Sequence, residues 1–355
     1  MKPEISKIHS TAEIATLQLP TYAEHSITVQ SSDHSKIASL LRCTAEERDA
    51  TILSQFIFSC THHYEESTNA VWLQGDACKG GGLYSMQAVG LSGIEIETIT
   101  FEGRDVGFIY EDEYSRICRL CGMMPRDLNA DRAEQTRSTF ETINEVLQLR
   151  GFKFTDTVRT WIYLDKLLEW YDEFNVVRTA FFEETGIFDA MVPASTGIGA
   201  GNHEGAAIMM DVLAIQPKNG DIEIKAVKSP LQNPALDYRS SFSRAVEIDC
   251  PTHRKLLISG TASIDAQGNT VHLDDPEKQI RLTMDVVVEI MKSRGMDWND
   301  IFRGIAYFKD MDYKPIYEKV AAELGIPKFP LAIAHADVCR HDLLFEIEVD
   351  AIKLT

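Results

Sequence analysis

The chain repeats itself. Gln135, Arg137, Thr139, Glu145, Arg150, Gly151, Asp156, Arg159 and Tyr163 recur as Gln279, Arg281, Thr283, Glu289, Arg294, Gly295, Asp300, Arg303 and Tyr307, each pair 144 positions apart. Nine matches within about thirty positions exceed what chance supplies, so two copies of one folding unit lie in tandem. The register then shortens by seven, and Ile208-Met209-Met210-Asp211-Val212 faces Phe345-Glu346-Ile347-Glu348-Val349. Glu346 thus stands where its twin carries Met209. Asp211 keeps an acid opposite Glu348, which points to a shared structural or solvent role for that pair.

The second copy is the more readable. Residues 242–249 and 255–264 have strand composition and are joined across Cys250-Pro251-Thr252-His253. Asp275-Pro276 opens a helix that carries Leu282, Val286 and Ile290 at helical spacing and ends at Gly295. A strand over 301–308, a helix over 313–324 stopped by Gly325, and a closing hairpin of 330–338 and 343–352 complete the order ββαβαββ. This predicts an α+β fold with an N-terminal segment, 1–102, packing on or completing the first repeat, 103–220. A linker, 221–237, then leads to the second repeat, 238–355. In the last strand Phe345, Ile347, Val349 and Ala351 alternate with acids, so the apolar set should face the helices and Glu346 the opposite, inter-repeat face.

Composition narrows the function classes. No apolar run approaches the roughly 20 residues of a membrane span, and a net charge of −19 disfavours nucleic acid and anionic membranes, which bind positive patches. The N-terminus lacks a basic start followed by an apolar stretch, which predicts a cytoplasmic protein. Seven scattered cysteines read as free thiols. Cys118 and Cys121 have CxxC spacing but no second pair, and in a strand they would point to opposite faces. The run Lys79-Gly80-Gly81-Gly82 reads as a turn, since no GK[ST] follows. His62-His63, His335 and His341 show no metal-ligand spacing, and no metal or cofactor is expected.

The strand SGTASI, the Arg-Gly pair after the first helix and the closing FEIEVDAI resemble the YjgF/RidA family, of chorismate-mutase-like fold, whose active sites lie between neighbouring units. The tandem form, with ASTGIGAG closing the first repeat, FSRA opening the second and CRHDLLFEIE closing it, resembles the chorismatases more narrowly. Simple RidA proteins grip an imino acid through an arginine on the penultimate strand, and the matching stretch here, Phe329-Pro330-Leu331-Ala332-Ile333-Ala334, has none. That argues against imine or enamine hydrolysis.

The narrower resemblance implies chorismate as an anionic small-molecule substrate, cleaved at its enolpyruvyl ether. Protonating the exocyclic methylene needs a carboxylic acid that stays neutral, and an enclosed sheet face raises a carboxyl pKa. Glu346 is the expected acid. Cys339 matches the position at which chorismatases divide between 3-hydroxybenzoate and a dihydrodiol. Arg244, with Tyr238 and Arg239, is expected to bind substrate carboxylates, arginine being suited to forked contacts. Ala245 falls where the family varies between glycine and alanine. Thr196 and Gly197 are candidates to reach across the cleft, and Gly260, whose twin is Gly122, to line it. The alternatives are the hydrolytic dihydrodiol route, a RidA-like deaminase, or a non-catalytic metabolite-binding member. Fused repeats can bury internally what single-unit relatives bury by trimerising, so a monomer or a small homo-oligomer is expected.

Overall fold

A computed structural model describes residues 4–9, 12–31, 33–59, 70–74, 84–238 and 240–355. The repeated residues turn out to be the punctuation of the fold. Asp131 and Asp275 cap the helices Arg132–Leu149 and Pro276–Ser293, and Gly151 and Gly295 follow them with φ of 77° and 69°. Such left-handed backbone is what glycine permits at a helix end. Asp156 and Asp300 cap the short turns that lead into the strands Thr157–Leu164 and Ile301–Phe308. Gln135 and Gln279 are buried and tie the helix start to the final strand's lead-in, accepting from the backbone N–H of Ala207 and of Leu344.

In the C-terminal sheet the spatial order is Glu223–Val227, Ala245–Asp249, His253–Ala262, Phe345–Leu354, Ile301–Phe308 and Leu331–His335. The middle sheet has the same order: Ile96–Phe101, Arg104–Glu111, Ser115–Met123, Ile208–Pro217, Thr157–Leu164 and Ala194–Gly199. The strand Ile96–Phe101 thus joins the middle sheet, and Glu223–Val227 the C-terminal one. The N-terminal third carries a sheet of its own in that order again: Glu4–His9, Ala12–Gln18, Ala23–Ser31, Tyr84–Ser92, Thr51–Phe58 and Ala70–Gln74, with Gly201–Asn202 added at the edge. Its helix is His34–Glu47. The architecture is therefore three like units in one chain, the first too diverged to align by eye.

The expected closing hairpin does not form. Leu331–His335 runs parallel to Ile301–Phe308 at the sheet edge, while Phe345–Leu354 inserts between Ile301–Phe308 and His253–Ala262. The helix Lys314–Glu323 is a crossover, and a crossover returns the chain parallel to the strand it left. The central strand is buried on both faces, so its acids are interior groups. The strand expected from 242 begins at Ala245, leaving Phe242 and Arg244 in the segment before it.

Helices cover the outside of each sheet. In the C-terminal unit Ile280, Met284, Val287 and Ile290 pack on Phe345, Ile347, Val349 and Ala351, so the acids between them face inward, as alternation predicts. The inner faces of all three sheets meet one another. Phe56, Phe58 and Leu73 of the first unit, Trp161, Tyr163 and Met209 of the second, and Ile305, Tyr307 and Ala334 of the third form one cluster. On the tandem axis Tyr163 and Tyr307 place their hydroxyls 3.5 Å apart. Among the described residues no helix is long and apolar enough to cross a membrane.

Candidate active site

Met209 pairs with Tyr163 and Glu346 with Tyr307, so the two occupy one register position, and Ser85, paired with Phe58, is the third equivalent. Only the C-terminal unit places an acid there. The edge strand Ala194–Gly199 of the middle unit lies against the C-terminal sheet beside it. Ser195 N–H donates to Ser259 Oγ at 2.9 Å, Gly260 N–H to Thr196 Oγ1 at 3.1 Å, and bridges join Ala194 to Ser243 and Gly199 to Asp337.

A cleft opens along this seam. The middle unit lines it with Tyr171, Arg178, Ser195 and Gly197, and the C-terminal unit with Ser240, Phe242, Arg244, Gly260, Cys339, Arg340 and Glu346. Register explains why space exists here. Gly197 pairs with Ile162, and the equivalent positions are Ile333, paired with Ala306, and Trp72, paired with Ile57. Those positions carry a branched or an aromatic side chain, and glycine here leaves that space to the cleft. Gly260 is needed for a similar reason, since a Cβ there would sit 1.9 Å from Glu346 Oε1.

The two inward acids of the last strand have opposite surroundings. Glu346 is 4% exposed, and no hydrogen bond from a described residue reaches its carboxyl. Burial first, and the neighbouring Glu348 second, push its pKa up to about 8, with Arg159 opposing. It therefore carries its proton at neutral pH. Glu348 is fully buried, and burial alone would raise it, but Arg159 and Arg303 outweigh that and hold it below the ordinary carboxylate range. Its oxygens accept from Arg159 Nη2 at 2.9 Å, Trp161 Nε1 at 2.8 Å and Arg303 Nη1 at 3.0 Å. A neutral and an ionised carboxyl on one strand face is the pattern that separates an acid from an electrostatic partner.

Cys339 is a protonated thiol, its pKa pushed up to about 12 by burial and by Glu346. A neutral S–H is a weak donor and a poor nucleophile. Arg244 donates through Nε and Nη2 to Asn233 O at 3.1 and 2.9 Å and lies over the Phe242 ring. Two further guanidinium groups join it, Arg178 bonded to Asn175 and Arg340 bonded to Gly268 O. Sequence reasoning missed both. Arg178 had a readable signal, since it shares a helical stripe with Phe174 and Phe181, so that a charged residue falls on a buried face.

The other expected residues divide. Gly197 and Gly260 line the cleft, whereas Thr196 is buried in the seam, its Oγ1 accepting from Arg159 and from Gly260 N–H. Ala245 is fully buried among helix-facing core residues and is not part of the cleft wall. Arg239 and the Tyr238 side chain lie outside the described residues, as do His62-His63 and the run Lys79-Gly80-Gly81-Gly82. Cys118 packs in the middle unit's helix-facing core while Cys121 Sγ meets Leu53 O on the other face, the divergence expected of the CxxC pair.

Three sheets of one topology with a site on the seam between units define the class. The model of the Endoribonuclease L-PSP family matches residues 114–228 and 233–353, and the chain belongs to that family. Within it the chain is similar to chorismatases and shares their tandem fold. It is 27% identical over 253 residues to a chorismatase of Streptomyces hygroscopicus, covering 64% of this chain and 70% of that one. A 3-hydroxybenzoate synthase of the same organism is 26% identical over 242 residues, covering 61% and 68%. A chorismatase crystal structure superposes with a TM-score of 0.65 at 21% identity, over 85% of this chain and 93% of that one.

Proposed function

We propose that this protein cleaves the enolpyruvyl ether of chorismate and releases pyruvate. The observation that carries the reading is a neutral, unbonded carboxyl, Glu346, in a cleft with three arginines, Arg178, Arg244 and Arg340. A dicarboxylate with an acid-labile enol ether fits that pairing of cations and proton donor. Glu346 transfers its proton to the exocyclic methylene, which becomes the pyruvate methyl group, and positive charge develops on the adjacent ether carbon. In the route to 3-hydroxybenzoate the neighbouring ring hydroxyl attacks the ring carbon that bears the ether. Pyruvate leaves with the ether oxygen and the hydroxyl proton returns to the carboxylate. The ring epoxide then opens at its other carbon and loses a ring proton, so the product and pyruvate together hold every atom of the substrate. In the hydrolytic route water adds to the ether carbon and the hemiketal collapses to pyruvate and a dihydrodiol.

The similarity to a named 3-hydroxybenzoate synthase and the Cys339 thiol beside Glu346 favour the first route. Incubation with chorismate, pyruvate assay and chromatography of the ring product test it, and no pyruvate above the uncatalysed background would refute it. Cys339→Ala is expected to shift product from 3-hydroxybenzoate toward the dihydrodiol while pyruvate release continues. An unchanged product ratio would remove the cysteine from that role. The pH profile should follow the acid: kcat/KM is retained through neutrality and falls as pH rises through about 8, where Glu346 ionises. A rate still rising well above that pH would place the proton elsewhere.

A further inference from the structure

Glu346 and Glu348 sit two residues apart on one strand face, roughly 7 Å along the chain, yet they are treated in opposite ways. Glu348 is saturated with donors, two of them, Arg159 and Trp161, supplied by the middle unit and one, Arg303, by its own unit. Arg303 also pairs with Asp350, and Arg159 Nη2 also reaches Thr196 Oγ1 at 2.6 Å, the atom that receives Gly260 N–H beside Glu346. Two arginines and two carboxylates therefore make a buried cluster without net charge.

We infer that Glu348 is a positioning residue for the acid: a fixed anion, held ionised across the unit boundary, that keeps the proton on Glu346 until substrate takes it and favours positive charge on the substrate carbon beside it. The inference rests on Glu346 as the acid. The need for such an anion follows from the cleft itself. From the helix Tyr171–Glu184 come Tyr171 and Arg178, from the segment before Ala245 comes Arg244, and from the loop before the last strand come Cys339 and Arg340. Across the strands stand Tyr307, Tyr163 and Arg159. Every charged group of that set other than the glutamates is an arginine, and arginines favour the carboxylate form of a neighbouring acid. Glu348 is the counterweight. Its equivalent Asp211 bonds Arg119 at 3.0 Å and the Gly122 N–H at 2.8 Å within its own unit, where Met209 stands in place of the acid.

Carboxyl NMR titration of protein carrying 13C-labelled glutamate tests this. In the wild type Glu346 is expected to titrate above neutrality while Glu348 stays ionised throughout. Glu348→Gln leaves Arg159 and Arg303 against Asp350 alone, and the Glu346 midpoint should fall by about one pH unit or more, with the alkaline limb of the pyruvate-release profile moving by the same amount. A folded Glu348→Gln protein with an unchanged midpoint overturns the inference. Should that variant not fold, Glu348→Asp keeps the charge but withdraws it by one methylene, and a smaller downward shift is expected, with no shift counting against the inference. The titration does not depend on the substrate. A shifted midpoint in a protein that releases no pyruvate would sink the proposed reaction and leave the electrostatic role standing.

Discussion

Glu346→Gln is expected to lower pyruvate release from chorismate by roughly 10²–10⁴-fold, the range typical of losing a positioned general acid. Glutamine is nearly isosteric and needs no ionisation, so folding should not suffer, and linkage makes this checkable. Because the folded-state pKa of Glu346 lies above its unfolded value, the wild type is most stable below the unfolded pKa. It loses that stability as pH rises from there through about 8. The glutamine variant escapes this loss, so it should be more stable than wild type by up to about 3 kcal/mol at neutral pH. That advantage should vanish near pH 4. Denaturant melts at the two pH values, alongside the assay, separate loss of the acid from loss of the fold. Full activity in the variant would end the assignment of Glu346.

Gly260→Ala should be nearly as damaging while leaving every chemical group in place. The new methyl would come within 1.9 Å of Glu346 Oε1 and 2.9 Å of its carboxyl carbon, and 3.3 Å from Thr196 Cγ2. Thr196 is locked by Arg159, so the glutamate is the group that must yield. Displacing an acid by an ångström or more from its reacting atom costs on the order of 100-fold in rate. Overpacking of this kind costs about 1–3 kcal/mol in stability. Steady-state kinetics should show the loss mainly in kcat, since Arg178, Arg244 and Arg340, proposed to hold the substrate, are untouched. Wild-type kcat in Gly260→Ala would mean that the acid does not work from the position it occupies against the strand.

Much of this was legible in the chain. The pairs at 144 spacing proved to be caps, helix ends and buried glutamines, residues whose jobs depend on local backbone and so survive duplication. Alternation in Phe345–Leu354 gave the correct inward direction for Glu346. Illegible was whatever depends on distant segments meeting. The parallel placement of Leu331–His335 follows from a crossover, and two strand-like stretches in succession look like a hairpin until the helix before them is docked. The third unit escaped notice because Ser85 and Gln87 stand at the positions of Glu346 and Glu348, and neither carries the signature of its equivalents.

Sequence alone determined that this protein is built from a duplicated ββαβαββ unit, and that the later copy carries an acid on an inward face where its twin has Met209. Both are properties of order and period along the chain. Tertiary structure decided the number of units, the opening of the cleft beside Glu346, and the protonation of the acid found there. Those depend on glycine, isoleucine and tryptophan at one register position in three separate sheets, and on Arg159 reaching Glu348 from 189 residues away. Burial and charge at Glu346 are sums over neighbours that only folding brings together.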